Sequence, residues 1–258
     1  EVKKPEPLFY ELNDKEDEIF NKTIELITNH FRYSRYTPLL YFKGKIDQLE
    51  AQSQINMGRF MKILLVKRLE SSFFAFRKSI QRFIQSYRMY IKEYENGSVY
   101  ISKKHINKIF DLLENDDDAA IQQLIDEGKA DKYKSEDFRE EFKNDLQSDF
   151  EILLEIEKLW QNITRDPKLQ KFKTELSNNE VLKKNHLIIF TESKETAHYL
   201  YTHLNQEYAN KVLLYTGDSG ESIRDKVIEN FDARARYKKN DFRILISTEV
   251  LSEGVNLH

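Results

Sequence analysis

Near the carboxy terminus, three short aliphatic, β-branched runs alternate with longer runs at helical spacing. His186–Thr191 precedes Lys194–Glu207, Lys211–Tyr215 precedes Ser222–Phe231, and Arg243–Ser247 precedes a polar loop over Thr248–Asn256. This alternation leaves few choices: it predicts βαβ units and a parallel sheet, an α/β fold. Right-handed crossovers then bring the three strand ends to one edge of that sheet. The edge would gather Thr191-Glu192-Ser193, Thr216-Gly217-Asp218-Ser219 and Ser247-Thr248-Glu249. Short hydroxyl side chains and backbone N–H groups near helix starts suit phosphate oxygens. Ser247-Thr248 also reads as a strand end that caps a helix, and Gly254 as a turn stop.

The first 165 residues read differently. Pro7–Leu12 suggests a short strand, and Asn13 a helix N-cap followed by Asp14, Glu16 and Asp17, acids suited to a first turn. From Arg59 to Lys92 bases dominate, Glu70 being the one acid, and Phe73, Phe76, Ile80, Phe83, Ile84 and Tyr87 recur at helical spacing. A straight helix over that span would outrun a small domain, so a break is expected near Ser71-Ser72. Arg77, Arg82 and Arg88 would form a basic arm facing DNA, or a solvated face balanced by acidic neighbours. Those acids follow between Asp111 and Glu157, with a run at Glu114, Asp116, Asp117 and Asp118. The run lacks the alternating ligands and central Gly of a calcium loop, so no metal site is expected. Ser135 would cap a second long helix, whose Phe138, Phe142, Leu146, Phe150, Leu153, Ile156 and Trp160 would pack on the Phe73–Tyr94 stripe. Two domains are expected: residues 1–165, helical with a short N-terminal strand, and residues 166–258, the α/β lobe.

Composition removes several function classes. The chain has no Cys, which excludes disulfides and thiolate chemistry, and its net charge of -3 argues against a uniformly basic nucleic-acid binder. No apolar run reaches the ~20 residues of a membrane span and no signal peptide opens the chain. The expectation is a cytoplasmic protein without a membrane partner. The first residue is Glu1 rather than Met, which suggests a piece of a longer protein.

Four stretches, in order, resemble the second RecA-like lobe of superfamily 2 helicases and translocases. Leu187–Ser193 resembles motif IV, and Tyr215-Thr216-Gly217-Asp218 the turn often written His-Gly-Asp. Glu221–Arg224 followed by Phe231 resembles the next helix, where many members have Gln-x-x-Arg; Ser247–Leu257 resembles motif V. Thr248-Glu249 with Ser252-Glu253-Gly254 is similar to the bacterial Snf-type branch, which also implies a helical insert before the lobe. The implied fold is a partial RecA-like parallel sheet flanked by helices, preceded by a large α-helical insert and cut after motif V. Glu221 and Thr216 depart from the usual Gln and His.

The resemblance implies that Thr191, Ser193, Thr216, Gly217, Arg224, Ser247 and Thr248 hold one nucleic-acid strand, while Glu253, Gly254 and Asn256 face a nucleotide. Nothing resembles a Walker A loop or an Asp-Glu-x-His box. No catalytic residue is therefore expected in these residues, and ATP and Mg would be bound only in a full-length protein. The implied partners are double-stranded DNA and a first RecA-like lobe of the same chain. Two other readings stay open: an RNA helicase lobe, and a non-catalytic module docking a protein partner through its charged helices.

Overall fold

The computed structural model describes residues 4–101 and 131–251. It divides into two compact units, residues 1–18 with 163–258 and residues 19–162.

The carboxy-terminal unit is the α/β lobe. Residues 4–13, expected to open with a strand, have no regular structure, and Leu8 and Phe9 remain exposed. An apolar run without a neighbouring strand has no ladder to join. Asn13 does cap helix α1 (Asp14–Glu25): its Oδ1 accepts the Glu16 N–H at 2.9 Å, and Glu16 Oε2 accepts the Asn13 N–H at 3.0 Å. Glu16 is buried and pairs with Arg165 at 2.5 Å, and Arg165 also donates to the Glu11 carbonyl at 3.4 Å. Residues 4–18 thus join the unit that begins again at Ile163.

Three strands form its sheet in the order β3 (Leu187–Phe190), β5 (Ile244–Ser247), β4 (Val212–Tyr215), all parallel. Ile244 and Ile246 face one side with Val212, Leu204, Ala197 and Leu176. Leu245 faces the other with Leu213, Tyr215, Val227 and Leu251. This alternation is the period-two pattern of a strand covered on both faces.

The other unit is mostly helical: α2 (Gln48–Ser71), α3 (Phe73–Glu95) and α4 (Glu140–Trp160). The break falls at Ser72, whose hydroxyl accepts the Ala75 N–H at 3.0 Å and so starts α3. The two aromatic stripes pack as expected, antiparallel, with Phe73 against Trp160 (4.6 Å between centroids) at one end and Tyr94 against Phe142 (5.6 Å) at the other. Ser135 does not cap α4. It lies in a 3-10 turn, Ser135–Asp137, and α4 starts later, with Arg139 at its N-cap. A short antiparallel pair, β1 (Ser98–Ile101) with β2 (Asp131–Lys134), was not foreseen. The acidic run at Glu114 and Asp116–Asp118 lies outside the described residues. No described helix is long and apolar enough to cross a membrane.

Asp149 of α4 is fully buried and ties this unit together. Its carboxylate accepts from the Arg32 N–H (2.7 Å), the Ser34 N–H (2.8 Å), the Ser34 hydroxyl (2.7 Å) and the Tyr87 hydroxyl (3.0 Å). Tyr33, between the two backbone donors, takes a left-handed φ of 62°. The donors favour the ionised form and burial opposes it; burial wins, holding the carboxyl above its ordinary pKa. The folded unit therefore binds this proton more tightly than the unfolded chain does. That contribution to stability is complete at low pH and is lost as pH rises from about 4 through the raised value. Asp149→Asn should cost about 2 kcal/mol at neutral pH by turning a donor toward the Arg32 N–H. The single Trp, Trp160, sits in this unit and reports its urea unfolding by fluorescence. The variant should also lack the aspartate's share of the pH slope.

Candidate nucleic-acid interface

Register places the three strand tips level. Phe190 and Tyr215 both lie beside Ser247, so the next residues across the edge are Thr191, Thr248 and Thr216. Strand spacing of about 4.8 Å puts this row of threonines within about 10 Å. Backbone bonds continue past the strands: the Thr191 N–H donates to the Ser247 carbonyl at 3.0 Å, and the Thr248 N–H to the Tyr215 carbonyl at 3.3 Å.

The loops that leave the row are each closed by a hydroxyl. Ser193 is buried at the N-cap of α7 (Lys194–Glu207), its Oγ accepting the Thr196 N–H at 3.2 Å. Its own N–H donates to Thr191 Oγ1 at 3.3 Å. At the tip of β4 the Thr216 N–H donates to Ser219 Oγ at 2.9 Å, and the Ser219 N–H returns to the Thr216 carbonyl at 2.9 Å. Gly217 lies at the exposed apex of this turn, where a Cβ would meet nothing within 4 Å. Its glycine is thus demanded neither by packing nor by a left-handed backbone. Ser247 is buried and donates its hydroxyl to the Thr248 carbonyl at 2.9 Å.

The expected strand-holding residues therefore divide. Thr191, Thr216 and Thr248 make the row, Thr191 and Thr248 half-buried and Thr216 buried; Ser193 and Ser247 are buried and shape the backbone beneath it; Gly217 and Arg224 stand exposed. Arg224 is in the first turn of α8 (Glu221–Phe231), which begins just beyond the β4 tip. Glu253, Gly254 and Asn256, expected to face a nucleotide, lie outside the described residues.

Arg77, Arg82 and Arg88 belong to α3 in the helical unit. Helical geometry puts Arg77 and Arg88 within about 20° of each other and Arg82 about 140° from Arg77. Arg82 is half-buried and donates to Ser79 Oγ at 3.0 Å, and Arg88 lies over the Phe150 ring at 5.8 Å. Arg82 and Arg88 thus make contacts within the unit.

Two features escaped the sequence reading. Asn230, buried at the end of α8, accepts the N–H groups of Asp241 (2.8 Å) and Phe242 (3.3 Å) and so aims the chain into β5. Lys194, the first residue of α7, pairs with Asp218 of the β4 turn. Both join residues far apart in sequence, and no local motif marks them.

A sequence profile covers the lobe from α5 (Pro167–Asn178) onward. Residues 167–258 match the helicase conserved C-terminal domain. Two solved structures align with most of the chain's length. One is the Hef helicase domain of Pyrococcus furiosus, with 18% identity over 93% of this chain and 45% of that one, at a TM-score of 0.38. The other is the C-terminal part of the Fun30 ATPase domain, with 16% identity over 96% of this chain and 70% of that one, at a TM-score of 0.37. The chain thus spans 45% of the length of the Hef helicase domain. No curated protein matches its sequence. The helicase C-terminal match takes in the whole threonine row, its capped loops and β5.

Ser193→Ala removes the hydroxyl that receives the Thr196 N–H and should cost about 1 kcal/mol of α7 stability. Hydrogen exchange should show faster exchange at Thr196, with β4 and β5 amides little changed.

Proposed function

We propose that the chain is the second-lobe part of an ATP-dependent translocase of the bacterial Snf-type branch of superfamily 2, acting on double-stranded DNA. One observation carries this reading: Thr191, Thr248 and Thr216 stand level at the carboxyl edge of one parallel sheet. Hydroxyl donors on short side chains let a phosphodiester approach the strand tips closely. Such contacts position a strand without reading its bases, which suits a motor that moves along any sequence. The match to the helicase conserved C-terminal domain supports the same reading. The helical unit ahead of β3 favours the DNA translocase over an RNA helicase lobe, since the Snf-type resemblance implies such an insert.

ATP hydrolysis needs a P-loop lysine and a metal site from one lobe and an arginine from the other. The sequence contains no Walker A loop, and among the described residues no group of three or more acidic or histidine side chains could hold a metal ion. Residues of a first lobe would therefore hold ATP and Mg. Glu253, Gly254 and Asn256 would face the nucleotide from this side. What these residues do themselves is grip and release one strand, in a protein proposed to work in the cytoplasm.

The 258 residues alone should hydrolyse no ATP and should bind duplex DNA weakly. Log affinity should fall with log salt at about 0.9 per phosphate neutralised. Replacing Thr216 and Thr248 together by Val keeps their shape and should weaken binding about tenfold or more. Unchanged affinity in that variant, measured by fluorescence anisotropy, would count against the threonine row. Preference for single-stranded RNA would favour the RNA helicase lobe.

A further inference from the structure

The ion pair between Lys194 and Asp218 has no evident structural purpose. Lys194 is the first residue of α7, where the helix dipole favours acids and disfavours a cation. Its side chain is 26% exposed and that of Asp218 is 68% exposed, so neither fills the core. The pair joins the outer strands of the sheet, because β3 leads to Lys194, β4 leads to Asp218 and β5 lies between. It thus runs across the end of the strand that delivers Ser247 and Thr248.

Charge around the edge is unbalanced. Glu192, Asp218, Glu221 and Glu249 are all exposed there, against the cations Lys194 and Arg224. A phosphodiester entering this edge meets four acids and two cations, and one of those cations, Lys194, is already held by Asp218.

We propose that Lys194 is a phosphate-binding residue of this edge and that Asp218 is its resting counter-ion, displaced when a nucleic-acid phosphate arrives. This rests on the edge being a backbone-phosphate site. The carboxylate and the phosphodiester are both singly charged oxyanions competing for one ammonium group. An exposed pair of this kind is weak, so exchange is easy and reversible. Asp218 then sets a threshold. It weakens attachment at rest and speeds release, which suits a grip that must let go repeatedly.

The test uses the full chain with a fluorescent random-sequence duplex, measured by anisotropy across a salt series. Lys194→Gln should weaken binding about threefold, and its log–log salt slope should be shallower by about 0.9. Asp218→Asn should tighten binding about threefold at low salt. In a Lys194→Gln background the Asp218→Asn change should have a smaller effect than alone. Weaker binding by Asp218→Asn, or no change in Lys194→Gln, would overturn the counter-ion assignment. If those two variants are silent while the Thr216 and Thr248 valine variant loses affinity, only this inference fails. If no variant at the edge alters binding, the phosphate-site reading fails with it. Circular dichroism melts of each variant separate loss of fold from loss of contact.

Discussion

Everything in the α/β lobe depends on β5 being paired on both edges and covered on both faces. Ile244, Leu245 and Ile246 are wholly buried, with β3 on one side and β4 on the other. A parallel strand in that position must begin and end with its neighbours, because a slip of one residue would turn its buried side chains to the wrong face. The level tips follow from this register, and so does the alignment of Thr191, Thr248 and Thr216. The site is thus a by-product of core packing. Its precision comes from Ile244 and Ile246 as much as from the hydroxyls, and Asn230 fixes where the strand starts.

The helical unit solves a different problem. Its helices bury aromatic stripes, which hold by area and contribute little to exact registry. A fully buried carboxylate adds direction: Asp149 collects two backbone N–H groups and the Ser34 hydroxyl from the Arg32–Ser34 turn and one hydroxyl from α3. Burying a charge is costly unless its oxygens are satisfied, and four donors here offset part of that cost. The left-handed Tyr33 lets both N–H groups point at one side chain. Apolar packing supplies the stability of this unit, and Asp149 selects one arrangement of it.

Much of this was legible because hydrophobic period reports burial. The three strands, α7 and α8 read directly, as did the break at Ser71-Ser72, where two hydroxyl residues interrupt an otherwise continuous pattern. The strand expected at Pro7–Leu12 failed because β-forming residues without a partner gain no ladder; Phe9 is 78% exposed. Ser135 misled because a cap is defined by where its donors lie. Here Lys134 and Asp137 close a 3-10 turn first, the Asp137 carboxylate accepting the Lys134 N–H at 3.2 Å. The β1–β2 pair and the Lys194–Asp218 contact join residues distant in sequence, and local pattern carries no information about such pairings. At the site, sequence identified the right loops. It did not separate the half-buried Thr191 and Thr248 from the buried Thr216, nor from Ser193 and Ser247, whose hydroxyls are consumed by backbone groups.

That separation bears on how the proposed nucleic-acid site would work. A cleft lined with lysines would bind tightly and release slowly, while this one offers neutral donors among exposed acids. Neutral hydrogen bonds add affinity without releasing counterions, so they add little to salt dependence. They are also short-ranged and directional, effective when the backbone lies against the strand tips and nearly absent an ångström or two away. Long-range attraction changes little over such a displacement. Under the proposed function, a grip built from short-range contacts would therefore switch with a small motion, and the acids around it would favour the released state.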